Sequence, residues 1–197
     1  MSGLIKVTAP DSIAESILSG VISEFSKKYP EIVFDTVVTN EKLDLLKEEI
    51  DLAFRAGKLE DSSLIQKKLL KSRFILTCSP GYLVKYGEPK SLKELESHKL
   101  LIFKPIKKDS LSDLANFKES IQSDSLSMLR SLALSSEGIT MLPDFYCREY
   151  LESGSLIQIL PKWSTRSGYI NMLYPSAKTQ SKRVKLFIEK CKESYSS

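Results

Sequence analysis

Apolar and polar positions fall into alternating blocks along this chain. Leu4–Val7 is an apolar, β-branched run and predicts a strand. In residues 12–29, Ile13, Ile17, Val21 and Phe25 recur at helical spacing, with Leu18, Ile22 and Tyr29 beside them. That stripe predicts an amphipathic helix. Ser12-Ile13-Ala14-Glu15 fits an S-x-x-E capping box, with Pro10 just before it. Pro30 ends the helix, because the residue before a proline resists the α conformation. Ile32–Val38 reads as a strand, Lys42–Glu49 as a short helix, and Ile50–Phe54 as a buried strand ending at Arg55-Ala56-Gly57. Strand, helix, strand, helix, strand predicts a parallel sheet with crossover helices.

The remaining pattern is similar. Strands are predicted at Leu64–Leu69, Arg73–Cys78, Lys99–Phe103, Glu119–Ser123, Ile139–Leu142, Leu156–Leu160 and Tyr169–Tyr174. Helices are predicted after Pro80, at Ser91–Ser97, Ser125–Ser135, Phe145–Glu152 and Thr179–Tyr195. Residues 104–117 are polar, broken by Pro105, and carry no assignable period. One local theme occurs twice. A strand runs into Thr8-Ala9-Pro10-Asp11-Ser12, and another into Cys78-Ser79-Pro80-Gly81. Each places hydroxyl residues and a proline between a strand and a helix. Ligands of open α/β sheets bind at the carboxyl ends of the strands. The repetition predicts two similar lobes facing each other across a cleft.

Composition narrows the function classes. The chain has 197 residues, 42% hydrophobic and 27% charged, as in ordinary globular proteins. No run approaches the ~20 apolar residues of a membrane span. The N-terminus lacks an apolar signal region, so a cytoplasmic location is expected. The net charge of +4 does not by itself indicate nucleic-acid binding. Lys178, Lys182, Arg183, Lys185, Lys190 and Lys192 gather at the last helix without interleaved aromatic residues, and read as a solvated face. Cys78, Cys147 and Cys191 have neither metal-ligand nor CxxC spacing and read as buried, reduced thiols. The single histidine, His98, lies in a polar stretch and reads as a surface or capping residue. No G-x-S-x-G, H-E-x-x-H, Walker or G-x-G-x-x-G pattern occurs. The expectation is a binding module with no catalytic residue, no cofactor and no metal.

In chain order, GLIKVTAP, EFSKKYPEIVF, IDLAFRAGKLEDSSL, CSPGYLVKYGEPKSLKEL, EGITMLPDF and ESGSLIQILP resemble the effector-binding domain of LysR-type transcriptional regulators. The matches cover nearly the whole chain. The IDLAFRAG and CSPGYL blocks resemble the subgroup that includes regulators responding to aromatic acids and related stress compounds. The resemblance implies an α/β fold of two Rossmann-like lobes joined by two crossover strands, similar to periplasmic solute-binding proteins. Lobe one would be 1–72 plus 167–197, and lobe two 73–166. It implies an effector held between the lobes, whose binding changes their relative angle. It also implies a homodimer or homotetramer, with Ser12–Tyr29 of one chain near Ser125–Ser135 of another. DNA would be contacted only through a helix-turn-helix that this chain does not contain, so the chain reads as a fragment. A solute-binding protein of the same fold is the alternative. Ile13-Ala14 stands where the subgroup has Phe-Gly, and Gly20 where a proline is common. Both departures bear on the effector's identity rather than on the fold.

Three groups of residues are candidates for the effector site. The first is Thr8, Pro10, Asp11 and Ser12. The free N–H groups and dipole of the helix that follows would attract an anion there. Ser12 also has the alternative of only capping its own helix. Polar Thr8 occupies a position that the resemblance assigns to ligand contact, while Asp11 disfavours a carboxylate beside it. The second group is Arg55 and Ala56, joined by Val38. The guanidinium fork of Arg55 suits a carboxylate, unless it forms a structural ion pair with Asp51 or another acid. The third is Asp124 and Ser125 at a second helix start, with Thr140 and Phe103 as wall residues. Asp124 has the alternative of a helix cap, and Phe103 that of a core residue.

Overall fold

The computed structural model describes residues 1–57, 64–106, 119–176 and 180–195. Its elements run in chain order as follows. Strand β1 (Gly3–Ala9) is followed by helix α1, residues 11–28, then β2 (Ile32–Val38), β3 (Leu52–Ala56), β4 (Ile65–Ser72) and β5 (Phe74–Cys78). Next come α2 (Pro80–Tyr86), a 3-10 turn (Lys93–Ser97), β6 (Leu100–Phe103) and β7 (Glu119–Ser123). Helix α3 (Leu126–Leu134), β8 (Ile139–Pro143), α4 (Asp144–Glu152), β9 (Ile157–Gln158), β10 (Gly168–Tyr174) and α5 (Lys182–Tyr195) complete the chain. Lys178 and the expected start of the last helix at Thr179 lie outside the described residues, as does most of the unassigned stretch from residue 107 onward.

The chain forms two units: Met1–Lys71 with Gly168–Ser197, and Ser72–Ser167. The first holds a sheet in the order β2-β1-β3-β10-β4. Strand β1 runs parallel to both β2 and β3, with Thr8 beside Val37 and Ala53. Strand β10 enters antiparallel, with Asn171 opposite Arg55. One face is covered by α1 and α5. Phe187 of α5 is fully buried, its ring 5.1 Å from Phe25 and 4.9 Å from Phe34 between centroids. The other face carries a smaller cluster of Leu45, Ile50, Ala53 and Leu173.

Two local expectations fail here. Lys42–Glu49 forms turns and no helix. Asp44 Oδ1 accepts from the Leu46 and Lys47 amides, which offers the backbone a partner other than a helical carbonyl. Glu49 then takes a positive φ of 53°, and Ile50 packs with Leu45, Ala53 and Leu173 ahead of β3. Helix α1 begins at Asp11, so Ser12 is a buried residue of its first turn and not its cap. Asp11 Oδ1 accepts from the Ser12 amide at 2.7 Å. Inside α1, residues Ala14–Leu18 are π-helical. The wider turn lets Ile17 and Leu18 both bury beside Ile13, Val21 and Phe25.

The second unit holds a sheet in the order β7-β6-β8-β5-β9. Strands β6, β7 and β8 are parallel, and β5 and β9 are antiparallel to their neighbours. All five residues of β8 are buried, because the sheet is covered on both faces. Leu101, Leu129, Leu142 and Tyr146 pack on one side, and Leu76, Tyr82, Leu100 and Met141 on the other. Arg130 of α3 lies over the rings of Tyr146 and Tyr150 in α4, at 4.3 and 4.7 Å from their centroids. The expected strand Leu156–Leu160 shrinks to Ile157–Gln158.

The antiparallel β5 corrects the reading of the repeated theme. Its carboxyl end at Cys78 lies where β8 begins, since Thr77 pairs with Thr140 and Phe74 with Pro143. Ser79 and the start of α2 are therefore at the opposite edge from Phe103 and Ser123, which end β6 and β7. Ser79 accepts from the Tyr82 amide and hydrogen-bonds Ser136, so it serves the scaffold.

His98 is also corrected. It is 7% exposed, and its Nδ1 lies 3.2 Å from the Tyr82 hydroxyl. That hydroxyl accepts from the Lys99 amide at 3.0 Å, which leaves its own proton to donate to Nδ1 of a neutral ring. Burial lowers the His98 pKa, opposed by Glu94. The fold thus favours the neutral ring. This contribution to stability is whole above the ordinary imidazole pKa of about 6.5 and is lost as pH falls through the lower folded-state value. Urea midpoints between pH 8 and pH 5 are expected to fall more for the wild type than for His98→Gln. Parallel pH profiles would show that another group carries the dependence.

Candidate functional site

The carboxyl ends of three parallel strands meet at one edge of the first unit. Ala9 of β1 pairs with Val38 of β2, and Thr8 with Ala53 of β3. Side chains alternate along a strand, so Thr8, Ala53 and Arg55 share a face. The fully buried Thr8 hydroxyl donates to the Val37 carbonyl at 2.8 Å. It accepts from Arg55 Nη2 at 3.1 Å. The same Nη2 donates to the Glu41 carbonyl at 3.0 Å, and Nη1 to the Phe54 carbonyl at 2.8 Å. All three acceptors are uncharged. Asp51, the expected partner, instead accepts from the Lys6 amide. The structural ion pair is therefore replaced by a half-buried guanidinium with no carboxylate partner among the described residues. Burial alone lowers the Arg55 pKa. Exposed Val38 and Ala56 and half-buried Pro10 and Asp11 lie at the same edge, with Ser12 buried behind them. An uncompensated cation beside the start of α1 is an arrangement that can hold a small anion.

Sequence reasoning missed two contributors. Glu41 acts through its main chain, which no side-chain pattern announces. Asn171 does have a signal, as an amide in the otherwise apolar run of β10. It is 2% exposed, and its Nδ2 donates to the carbonyls of Gly57 and Tyr169 at 2.9 and 3.1 Å.

In the second unit, Phe103 and Ser123 end adjacent parallel strands. Ser123 accepts from the Ser125 amide. The hydroxyl of Ser125, and not Asp124, caps α3 by accepting from the Met128 amide at 3.2 Å. Asp124 is exposed. Phe103 belongs to the core and stacks on Phe74. Thr140 lies deeper, wholly buried, and donates to the Leu101 carbonyl at 3.1 Å. It braces β8 against β6.

The three cysteines are buried and unbridged. Burial pushes each thiol up to about 12, which suppresses the nucleophilic thiolate. Among the described residues no group of three His, Cys, Asp or Glu side chains is placed to hold a metal ion. None of their helices is long and apolar enough to cross a membrane.

The chain is similar to known proteins over nearly its whole length. The model of the LysR substrate binding domain matches residues 1–196. An HTH-type transcriptional regulator of Xanthomonas campestris is 30% identical over 199 residues, covering 95% of this chain and 58% of that protein. The HTH-type transcriptional regulator CrgA of Neisseria meningitidis is 31% identical over 197 residues, covering 95% of this chain and 65% of CrgA. The solved CrgA regulatory domain is similar over 99% of this chain and 100% of its own, with a TM-score of 0.90 and 28% identity. The full-length Vibrio cholerae virulence activator AphB is similar over 96% of this chain and 68% of its own, with a TM-score of 0.83 and 32% identity. The chain thus spans 58% and 65% of the length of the two curated relatives named.

Proposed function

Since the chain belongs to the LysR substrate binding domain family, we propose that it senses a small anionic effector for a cytoplasmic transcriptional regulator and does no chemistry on it. The observation that carries the anionic preference is Arg55. Among the described residues, its half-buried guanidinium faces only uncharged oxygens at the carboxyl edge of β1, β2 and β3. Burying a cation without a counter-charge is costly, and an arriving carboxylate offsets that cost. Val38, Ala56, Pro10 and Asp11 line the edge around it. Control of transcription requires that the effector bind two arrangements of the protein with different affinity. DNA is contacted by the helix-turn-helix part of the regulator, and the domain works as a homodimer or homotetramer that uses α1 and α3.

Thermal denaturation in small carboxylates, sulfonates and phosphates tests this reading. A bound anion is expected to stabilise the fold, by about 2.7 kcal/mol at a hundredfold excess over Kd. Added salt should diminish the gain through screening. If none of these anions raises the midpoint, the anion reading is lost. Sedimentation at high protein concentration checks the oligomer, and a monomer there excludes it.

A further inference from the structure

Asn171 lies directly across the β3–β10 ladder from Arg55. Opposed residues of an antiparallel pair emerge on one face about 5 Å apart. The orientation of the Asn171 amide is set by its surroundings. Nδ2 points at two backbone carbonyls, those of Gly57 and Tyr169, and only an N–H group can satisfy them. The acceptor oxygen Oδ1 is therefore the free end. It is buried and has no hydrogen-bond partner among the described residues. Across the β3 ladder, Ala53 carries no donor, and the hydrogen bonds of Arg55 run to Phe54, Thr8 and Glu41 and not to Oδ1. A buried acceptor without a donor is expensive to keep, and native folds keep few of them.

We propose that Asn171 is a specificity-determining residue, whose Oδ1 accepts a hydrogen bond from a hydroxyl or amine that the effector carries next to its carboxylate. The inference rests on the anionic reading of Arg55 and adds the effector class: a 2-hydroxy or 2-amino carboxylate, in preference to its plain counterpart. Arg55 takes the charge, and Asn171 takes the neighbouring donor. A site built around a donor rejects the analogue that lacks it, because its own polar atom is then left buried and unpaired.

The test uses matched probes, L-lactate against propionate and L-malate against succinate, titrated into this chain by calorimetry. The wild type is expected to prefer the hydroxylated member of a pair by about tenfold or more. In Asn171→Leu the preference should fall to within about twofold, while the plain carboxylate keeps its affinity within about threefold. The ratio is internal to each protein, so a modest loss of stability in the variant does not disturb it. If Asn171→Leu fails to fold, the wild-type ratio still decides. Equal affinity for both members of each pair overturns the role of Asn171 and leaves the anionic reading standing. Retained discrimination in Asn171→Leu also overturns it. Absence of binding by all four carboxylates overturns both the role of Asn171 and carboxylate recognition by Arg55.

Discussion

Arg55→Gln is expected to weaken binding of a carboxylate effector on the order of 100-fold while the fold survives. Removing one partner of a partly buried, hydrogen-bonded charge pair costs about 2–5 kcal/mol, and each 1.4 kcal/mol is tenfold in affinity. The lower part of that range applies here, because the guanidinium is only half-buried. The unbound protein loses less. The hydrogen bonds to Thr8 and Glu41 are to uncharged acceptors, and each contributes about 1 kcal/mol. Arg55→Lys separates charge from geometry. An ammonium keeps the charge and lacks the planar fork that reaches Phe54, Thr8 and Glu41 together. Its affinity should lie between the other two. Titration calorimetry on the three proteins measures the series. Unchanged affinity in Arg55→Gln would falsify the assignment and leave Arg55 as a brace for the 39–50 segment.

Phe187→Ala is expected to cost about 3–5 kcal/mol, the largest loss of stability from a single substitution proposed for this chain. The ring is fully buried and meets Phe25 nearly edge-on, with Phe34 tilted against it. Truncation opens a cavity between α5, α1 and the sheet that three elements cannot easily close. Such a loss is a large part of the 5–15 kcal/mol by which folded domains are stable. Phe187→Leu retains much of the volume and should cost about 1–2 kcal/mol. Urea unfolding followed by circular dichroism measures both. A loss under 1 kcal/mol for Phe187→Ala would mean that α5 does not pack on the sheet as described.

The helices and strands that carry long apolar periods were legible in the residues. The stripe through Ile13, Ile17, Val21 and Phe25 and the apolar run of β8 each have one low-energy way to hide from water. Where side chains or backbone compete locally, the pattern misled. Lys42–Glu49 has helical composition, yet the Asp44 carboxylate holds two amides and the chain turns. The Ser12 capping box does not form, because α1 starts at Asp11 directly after Pro10 and the Asp11 carboxylate takes the Ser12 amide. Arg55 was legible as a charge at a strand end. That its hydrogen bonds among the described residues go to uncharged oxygens, and that Asn171 stands beside it, was not.

The residues taken in order determined the α/β class and most element positions, because these follow from local periodicity and from short-range chain stiffness, while the family resemblance came from motif blocks such as IDLAFRAG and CSPGYL. Tertiary structure alone decided the direction of β5, which moved Ser79 away from the Phe103–Ser123 edge. It likewise buried His98 against Tyr82 and set Asn171 opposite Arg55. Those pairings join residues 16 to 116 positions apart, and their cost or gain depends on which groups are left without a partner once water is excluded.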